Sequence, residues 1–403
     1  MKLATWIAMP AIAAVAMTAL VAGPAIAEQR VVKIAGFGAK SGPVRSFGVN
    51  SEVAMRAAAD AINKKGGIKL GDGTMAKIVI SYDDDRCNAE DGINILRRLA
   101  SGDSLVAIAP TCSNVAEPMF GILQKKVGDT GDSGLKYPIF TDVAVKGGLA
   151  KISEWAFRNV PSEADMYKAL FAYLKQTRPE LKTIYGGVED DFAHSKALWH
   201  AIMKVQAPAA GYELKGEAKW LLADTNFQTQ VRDMKAANAD IVAISAHPFT
   251  TCGVLKEMQR QGVKPKLIIG LTSSSSLETM QGCAKQAEGV LIPTSFAPVN
   301  KDAQAVADVM AKNKGSADLH STAAWENMFI LKDVMEKAGI MAKADTVAAD
   351  RDKIRAGLQA LTETKGLLGV SKRTPDREAQ KPFVFVEGKS GKWVVKYDPS
   401  KTN

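Results

Sequence analysis

Residues 105–118, LVAIAPTCSNVAEP, combine a strand pattern with the start of a helix. The apolar run 105–109 is typical of a buried parallel strand, and Pro110 ends it because proline cannot donate a hydrogen bond to a sheet. Ser113 and Asn114 are residue types favoured at helix N-termini, so a helix is predicted to begin there. The free N–H groups and the dipole of a helix start bind anions. Ser113 is therefore either a ligand-binding residue or a helix cap.

Strand and helix patterns alternate along the chain in two successive series. Strands are predicted at 31–35, 77–82, 105–109, 137–141 and 155–159, then at 182–186, 217–221, 240–245, 265–270 and 290–293. Helices are predicted at 49–63, 89–99, 164–174, 195–205, 228–236, 252–261, 303–312 and 321–338, with one more after Ser113. This alternation predicts two doubly wound α/β units with parallel sheets and a cleft between them. A β-hairpin at residues 383–396 is predicted to end the chain.

The N-terminus has the composition of an export signal. Lys2 is the only charged residue before Glu28, and the apolar run between them ends in Ala25 and Ala27, spaced as in a cleavage site. Residues 1–27 are therefore predicted to be a signal peptide of a soluble exported protein, with a membrane anchor as the alternative. The formal charge of +9 is spread along the chain without basic–aromatic clusters. That pattern argues against nucleic-acid binding and favours an anionic small ligand.

The chain has four cysteines, Cys87, Cys112, Cys252 and Cys283, and no C-x-x-C motif. An even number in an exported protein favours two disulfides over a metal or redox site. Three pairings are possible in principle. Proximity along the chain favours Cys87 with Cys112 and Cys252 with Cys283, each closing a loop that contributes about 3 kcal/mol in the chain-entropy model.

Motifs of catalysis are absent from the sequence. Neither G-x-S-x-G nor H-E-x-x-H occurs, and Ser41 stands where a dinucleotide-binding G-x-G-x-x-G would need its third glycine. The acidic run 83–85 is more typical of a helix cap than of a metal site. The protein is therefore predicted not to be an enzyme, and neither a cofactor nor a metal is expected.

Candidate site residues lie in the loops that follow the predicted strands. These loops carry hydroxyls, aromatic rings, one imidazole and one carboxylate: Ser41, Phe47, Ser113, residues 143–145, Glu163, Phe192, His247 and Thr272. Ligands of open α/β sheets bind beyond the carboxyl ends of the strands. A few polar groups in an apolar lining suit a small organic ligand with one carboxylate end. His194 and His200 fall on different helix faces and are interpreted as surface or packing residues.

The sequence resembles the periplasmic solute-binding proteins of ABC transporters, in the leucine/isoleucine/valine-binding branch. The resemblance covers nearly all of the chain after residue 27. It lies in GAKSGP (38–43), DAIN and GGI (60–63 and 66–68), YDD (82–84) before Cys87, and Cys112-Ser113. It implies a type I periplasmic binding protein, in which two α/β lobes joined by three crossings close on a ligand. It also implies the Cys87–Cys112 disulfide.

The resemblance implies roles for individual residues. In amino-acid-binding members, the serine matching Ser113 holds the ligand carboxylate, and the loop matching residues 143–145 adds backbone contacts. Phe47 and Phe192 match aromatic residues of the two lobes, and Glu163 matches a carboxylate of the lobe crossing.

Three positions depart from the family pattern. Val145 replaces a usual threonine, His247 falls where a tyrosine is usual, and Thr272 falls where a glutamate binds the ligand's ammonium group. An α-ammonium group would lack its main charge partner here, and an unpaired desolvated charge is costly. We therefore hypothesise a carboxylate ligand without an α-amino group, such as an aromatic or short-chain organic acid. An amino acid held by Glu163 is the alternative.

The full expectation is an extracytoplasmic solute-binding component of an ABC importer. It is expected to be a monomer with an inner-membrane permease as its partner; a ligand-sensing protein of the same fold remains open. The predicted divisions are a signal peptide at 1–27, a first lobe at 28–160 with 296–365, and a second lobe at 161–295 with 366–403. The predicted ligand-binding residues are Phe47, Ser113, Asn114, Val143, Val145, Glu163, Phe192, His247 and Thr272.

Overall fold

The computed structural model describes Met1 and residues 30–401. Apart from Met1, the predicted signal peptide lies outside the described residues. Within the described chain, the strands form three sheets. No helix of the described residues is both long and apolar enough to cross a membrane.

The first sheet has six strands in the order β2-β3-β1-β4-β5-β6. The strands are β1 (Val31–Gly38), β2 (Ile68–Lys69), β3 (Met75–Asp84), β4 (Val106–Ile108), β5 (Ile139–Thr141) and β6 (Ala156–Arg158). The helices between them are α1 (Arg45–Lys64), α2 (Ala89–Ser101) and α3 (Ser113–Phe120), and a 3₁₀ turn covers Leu149–Ile152. All pairings are parallel except that of β2 with β3. This confirms the parallel arrangement predicted for the first series.

Strand β1 shows why this sheet is parallel and internal. From Ile34 onward its side chains are buried on both faces, with Ile34 in one apolar cluster and Ala35 and Phe37 in another. Parallel sheets are covered by helices on both faces, so their strands are apolar throughout rather than alternately polar. The apolar run of β4 has the same cause.

The second sheet has seven strands. They include β7 (Thr183–Glu189), β8 (Glu213–Trp220), β9 (Ile241–Ser245), β10 (Leu267–Gly270) and β11 (Val290–Thr294). Its helices are α4 (Glu163–Thr177), α5 (Ala193–Lys196), a π-helical segment (Ala197–Met203), α6 (Lys204–Ala209), α7 (Gln228–Ala237), α8 (Pro248–Gln261) and α9 (Leu277–Cys283), with a 3₁₀ turn at Thr272–Ser274. The helix predicted at 195–205 is therefore interrupted by the π-helical segment.

The chain then returns to the first lobe. Helices α10 (Lys301–Lys312), α11 (Leu319–Ala338) and α12 (Val347–Gln359) follow, and α11 packs against α1. A third, antiparallel sheet contains β12 (Glu363–Gly366), β13 (Gly369–Arg373) and β14 (Ala379–Gln380). The hairpin of β15 (Val384–Lys389) and β16 (Lys392–Tyr397) joins the edge of the second sheet, before a 3₁₀ turn at Pro399–Lys401.

The chain crosses between the two large sheets three times. It leaves the first sheet after β6, returns after β11 and crosses again before β15. This confirms the predicted two-lobed fold of the type I class. The crossings are held together by Glu326 of α11, which accepts hydrogen bonds from Asn159 (3.1 Å) and from the buried ammonium of Lys381. The exact division of the chain between the lobes stays a prediction.

Both predicted disulfides are present. The Cα atoms are 5.6 Å apart in Cys87–Cys112 and 5.3 Å apart in Cys252–Cys283. The first bond ties the start of α3 to the loop before α2. The second ties α8 to α9 in the other lobe.

Candidate functional site

Ser113 lies at the first helical position of α3, and the residue before it, Cys112, is the N-cap. Of the two alternatives for Ser113, the helix cap is therefore wrong. Cys112 makes no side-chain capping bond, and the hydroxyl of Ser113 accepts a hydrogen bond from the backbone N–H of Lys146 (3.2 Å). Ser113 is almost fully buried. Its hydroxyl therefore faces the loop after β5 and remains available to an additional partner.

Arg158 holds the loop of residues 143–145 through hydrogen bonds to its backbone. This buried guanidinium donates to the carbonyl oxygens of Ala144 (3.2 Å) and Val145 (2.8 Å) and forms an ion pair with Glu378. Because these carbonyl groups are bound by Arg158, the loop is fixed in one conformation on the first-lobe side of the cleft.

Asp142 begins the same loop and is fully buried. One carboxylate oxygen accepts a hydrogen bond from Ser51 (2.5 Å), and the other has no partner within the described chain. Burial raises the pKa of Asp142 to about 7. The first-lobe wall therefore carries a carboxyl group that is protonated below neutral pH.

The second-lobe wall is built around His247, the residue that precedes α8. Its ring lies 4.2 Å from the ring of Phe192 and 5.9 Å from that of Phe47 (centroid distances). Phe47 belongs to the first lobe, so these aromatic rings meet across the cleft. All three residues are nearly fully buried.

The imidazole of His247 is hydrogen-bonded to Glu189, the last residue of β7. The distance from Nδ1 to Oε1 is 2.5 Å, and the second carboxylate oxygen accepts a hydrogen bond from the hydroxyl of Thr250 (2.6 Å). Burial by itself would raise the pKa of Glu189, but the charge and hydrogen bonds of His247 and the Thr250 hydroxyl hold it below its usual value. Glu189 is therefore ionised although it is fully buried.

A second carboxylate–imidazole pair lies beside the first. Glu163, the first residue of α4, accepts hydrogen bonds from Nε2 of His194 (2.8 Å) and from the hydroxyl of Thr272, all three being buried. The rings of His194 and His247 are 5.5 Å apart. Oε1 of Glu163 is thus already bonded to an imidazole and a hydroxyl.

Contacts between the lobes close the cleft in this conformation. The side-chain oxygen of Asn114 accepts a hydrogen bond from the backbone N–H of Ala193 (2.6 Å). His320 of α11 bonds through Nε2 to the hydroxyl of Ser273 (2.9 Å), and its ring lies 4.9 Å from that of Phe47. Burial and then the charges of His194 and His247 lower the pKa of His320 far below its usual value, so this imidazole is neutral.

The nine predicted ligand-binding residues all lie at the facing edges of the two lobes. Eight are buried and Asn114 is half-buried: Phe47, Ser113, Val143, Val145, Glu163, Phe192, His247 and Thr272. That they bind a ligand stays a prediction. Beside them, a cavity of about 440 Å³ opens between the lobes, lined by Val44, Phe47, Phe227, Pro248 and Phe249 among others.

The sequence analysis missed four polar residues of this region: Glu189, His194, Ser273 and His320. Glu189 ends β7 and His194 lies in α5, on either side of Phe192, and that placement at the carboxyl end of a strand could have indicated them. Of the two interpretations given for His194, a surface or a packing residue, the structure shows the second, because His194 is buried against Glu163. No local signal marks His320, because only the packing of α11 brings it to the cleft.

Comparison with known proteins decides the family. The model of the periplasmic binding protein family matches residues 31–392. The chain belongs to this family. The Leu/Ile/Val-binding protein BraC3 of Rhizobium johnstonii is 25% identical to this periplasmic binding protein over 313 residues, which cover 76% of this chain and 80% of BraC3.

Two solved structures share the fold of this periplasmic binding protein. The branched-chain amino acid transporter substrate-binding protein LivJ from Streptococcus pneumoniae, in complex with isoleucine, has a TM-score of 0.76 and 17% identity, covering 91% of this chain and 99% of LivJ. An ABC transporter solute-binding protein from R. palustris, in complex with 4-hydroxybenzoate, has a TM-score of 0.75 and 18% identity, covering 91% and 96%. The family and the fold are those of substrate-binding proteins.

Proposed function

We propose that this periplasmic binding protein binds a small carboxylate without an α-amino group between its lobes and delivers it to the permease of an ABC importer. The ligand carboxylate binds the hydroxyl of Ser113 and the N–H groups where α3 begins. Its body packs between Phe47 and Phe192. The predicted signal peptide at 1–27 supports a periplasmic location, and the family supports a permease as the partner.

The proposal depends on one observation: the buried carboxylates at the cleft already accept hydrogen bonds from protein side chains. Glu163 already accepts from His194 and Thr272, and Glu189 already accepts from His247 and Thr250. Thr272 supplies a neutral hydroxyl at the position where the family pattern has a glutamate that binds the ligand's ammonium group. Both donors to Glu163 bond to Oε1, so an α-ammonium group would have to share this carboxylate with the imidazole of His194, without the second carboxylate that a glutamate at position 272 would supply.

The relatives support both an organic acid and an amino acid as the ligand class. BraC3 is named for leucine, isoleucine and valine, whereas the R. palustris protein was solved with 4-hydroxybenzoate. The charge pairing described above favours the organic acid. Either kind of ligand, an organic acid or an amino acid, would bind Ser113 through its carboxylate.

A ligand panel tests the proposal. The exported protein is stripped of bound ligand by unfolding and refolding, and thermal shift and calorimetry then compare benzoate, 4-hydroxybenzoate, butyrate and succinate with leucine, isoleucine and valine. We expect at least one organic acid to stabilise the protein and the amino acids to have no effect. A largest shift from leucine or valine, with none from the acids, would overturn the proposal.

Substitution of Ser113 tests the anchoring point. We expect Ser113→Leu to weaken binding of the preferred acid roughly 100-fold, because it removes a charge-assisted hydrogen bond and crowds the helix start. Ser101→Leu, at an exposed serine near the end of α2, is the matched control and should bind normally. Undiminished affinity in a folded Ser113→Leu protein would contradict this anchoring point.

A further inference from the structure

We propose that closure of the two lobes takes up a proton, because it brings the carboxyl group of Glu278 in the second lobe against that of Asp318 in the first. Acidic conditions then favour the closed, ligand-holding form, and ligand binding is coupled to pH. This inference goes beyond the proposed function, because it concerns closure itself and applies to an organic acid or an amino acid alike.

The two carboxyl groups meet at the interface between the lobes. Glu278 lies in α9, which packs against α8 in the second lobe, and Asp318 is the N-cap of α11, which packs against α1 in the first. Asn50 of α1 connects them. Its side-chain N–H donates to Oε1 of Glu278 (3.4 Å), and its side-chain oxygen accepts from the backbone N–H of Ser316 (2.9 Å). His320, two residues after Asp318, makes the bond across the cleft described above.

One oxygen of each carboxyl group is buried and has no hydrogen-bond partner. Oδ1 of Asp318 accepts from the backbone N–H groups of His320 (2.9 Å) and Ser321 (2.8 Å), as expected of an N-cap. Oδ2 of Asp318 and Oε2 of Glu278 are buried without a partner in the described part of the chain. A buried charge without a donor is costly, and protonation of one carboxyl group removes that cost.

No positive side chain compensates for these carboxyl groups. Within residues 30–401, neither Glu278 nor Asp318 forms an ion pair, and the charged groups that act on Asp318 and Asp142 are acidic, namely Glu278 and Asp318 itself. Lys256 and Asp224 line the same cavity as Glu278. Lys256 is exposed, so solvent screens its charge, and Asp224 adds a further negative charge.

The direction of the pH effect follows from the two states of the cleft. Burial and then the charge of Glu278 raise the pKa of Asp318 from 3.8 to about 6. His320, in the same helix, is neutral and offsets none of this charge. When the lobes separate, Glu278 moves away and water reaches the interface, so the pKa of Asp318 falls towards its ordinary value. The closed form therefore keeps a proton that the open form releases.

Calorimetry in paired buffers measures the proton directly. The probe is the compound of the panel above, acid or amino acid, that stabilises the stripped protein most. Binding is measured at pH 6 in cacodylate and in bis-tris, and at pH 8 in phosphate and in Tris, because the buffers of each pair differ in ionisation enthalpy. We expect the uptake of about 0.3–0.5 proton per ligand at pH 6 and of about 0.1 or less at pH 8.

Two conservative variants assign the proton. Asp318→Asn keeps an acceptor for the N-cap bonds but cannot titrate, so the uptake at pH 6 should fall by about 0.3–0.5 proton. Glu278→Gln keeps an acceptor for Asn50 and removes the facing charge. Both variants should bind the ligand roughly 3- to 10-fold more tightly at pH 8, whereas loss of a purely structural contact would weaken binding. Glu90→Gln, at an exposed glutamate in the first turn of α2, is the control.

A ligand-free measurement tests closure even where no compound of the panel binds. Dyes on Asp60→Cys in α1 and Asp233→Cys in α7, exposed positions in opposite lobes, report the closed fraction by single-molecule energy transfer. The four native cysteines are paired in disulfides, so only the introduced thiols react. We expect the closed fraction to rise roughly 3- to 10-fold from pH 8 to pH 5, and to rise less when Asp318→Asn is added.

The outcomes separate this inference from the proposed function. No proton uptake at pH 6, together with a closed fraction independent of pH, would overturn the inference for any ligand. An uptake that is the same in Asp318→Asn, Glu278→Gln and the wild type would place the proton on another group and overturn it as well. Binding of leucine or valine and of none of the acids, with the expected uptake, would overturn the proposed function and support this inference.

Discussion

Two fully buried carboxyl groups, Asp142 and Glu189, lie at the edges of opposite lobes and have opposite pKa shifts. Asp142 follows a strand beside the cleft and accepts a hydrogen bond from the hydroxyl of Ser51. Glu189 ends a strand and accepts a hydrogen bond from the hydroxyl of Thr250. The pKa of Asp142 is raised to about 7, whereas that of Glu189 is lowered. The difference is the imidazole of His247, which contacts only Glu189 of the two.

This comparison shows how one fold gives its two lobes different electrostatic roles. Burial without a charge partner makes Asp142 a neutral acid below pH 7, so it does not repel an anion bound near Ser113. The hydrogen bonds from His247 and Thr250 lower the pKa of Glu189 despite its burial, so this carboxylate stays ionised. The first-lobe edge therefore carries the start of α3 with the Ser113 hydroxyl and a neutral acid, and the second-lobe edge carries an ionised carboxylate bonded to an imidazole.

The largest expected effect comes from removing the carboxylate of Glu189. Glu189→Leu leaves His247 and Thr250 buried without their acceptor, so we expect the free energy of unfolding at pH 7 to fall by about 3–5 kcal/mol. Urea denaturation followed by circular dichroism measures it. The double variant Glu189→Leu/His247→Phe should regain most of the loss, because no charge is then left unpaired. A single variant as stable as the wild type would show that the ion pair contributes nothing.

The second prediction concerns Asp142 and pH. Its pKa is raised from 3.8 to about 7, so the folded state keeps a proton that the unfolded state has released, and stability falls as the pH rises through that range. Between pH 5 and pH 8 this group lowers the free energy of unfolding by about 3 kcal/mol. Asp142→Asn, a neutral isostere, should gain stability relative to the wild type by that amount over the same interval.

The control for this prediction is Asp302→Asn, at an exposed aspartate in the first turn of α10. Burial also raises the pKa of Asp85 to about 7 and that of Asp318 to about 6. Asp85 is present in the wild type and the variant, so its contribution cancels in the difference, whereas the charge of Asp318 helps to raise the pKa of Asp142 and is part of the effect that is measured. If the wild-type and Asp142→Asn stability curves run parallel from pH 5 to pH 8, Asp142 does not titrate in this range.

The sequence pattern predicted the alternating strands and helices because buried parallel strands leave uninterrupted apolar runs. It assigned nothing to α12 or to β12–β14. The strand segments ETKG and GVSKR have few apolar residues, and most of their residues are exposed or half-buried, so they lack the alternation that marks a strand. These strands instead form a small sheet that hydrogen-bonds through Arg373 to Arg158 and Asn159.

Site residues that follow a strand could be predicted from the sequence. Contacts that depend on how separate helices pack could not. Ser113, Phe192 and His247 lie in strand-exit loops, and their location follows from the topology of an open sheet. The pairing of His247 with Glu189 and the approach of His320 depend on how helices from separate parts of the chain pack. A single sequence contains no local signal for those contacts.

The smallest expected effect concerns a hydrogen bond that joins the two lobes across the cleft. Asn114, next to Ser113, accepts a hydrogen bond from the backbone N–H of Ala193 in the opposite lobe (2.6 Å), and one such bond contributes about 1 kcal/mol. Asn114→Ala should therefore weaken ligand binding roughly 5-fold, through a less stable closed form. Calorimetry measures the affinity, and Asn313→Ala, at an exposed asparagine at the end of α10, is the control. If Asn114→Ala raised the dissociation constant as much as Ser113→Leu, Asn114 would hold the ligand itself rather than the two lobes.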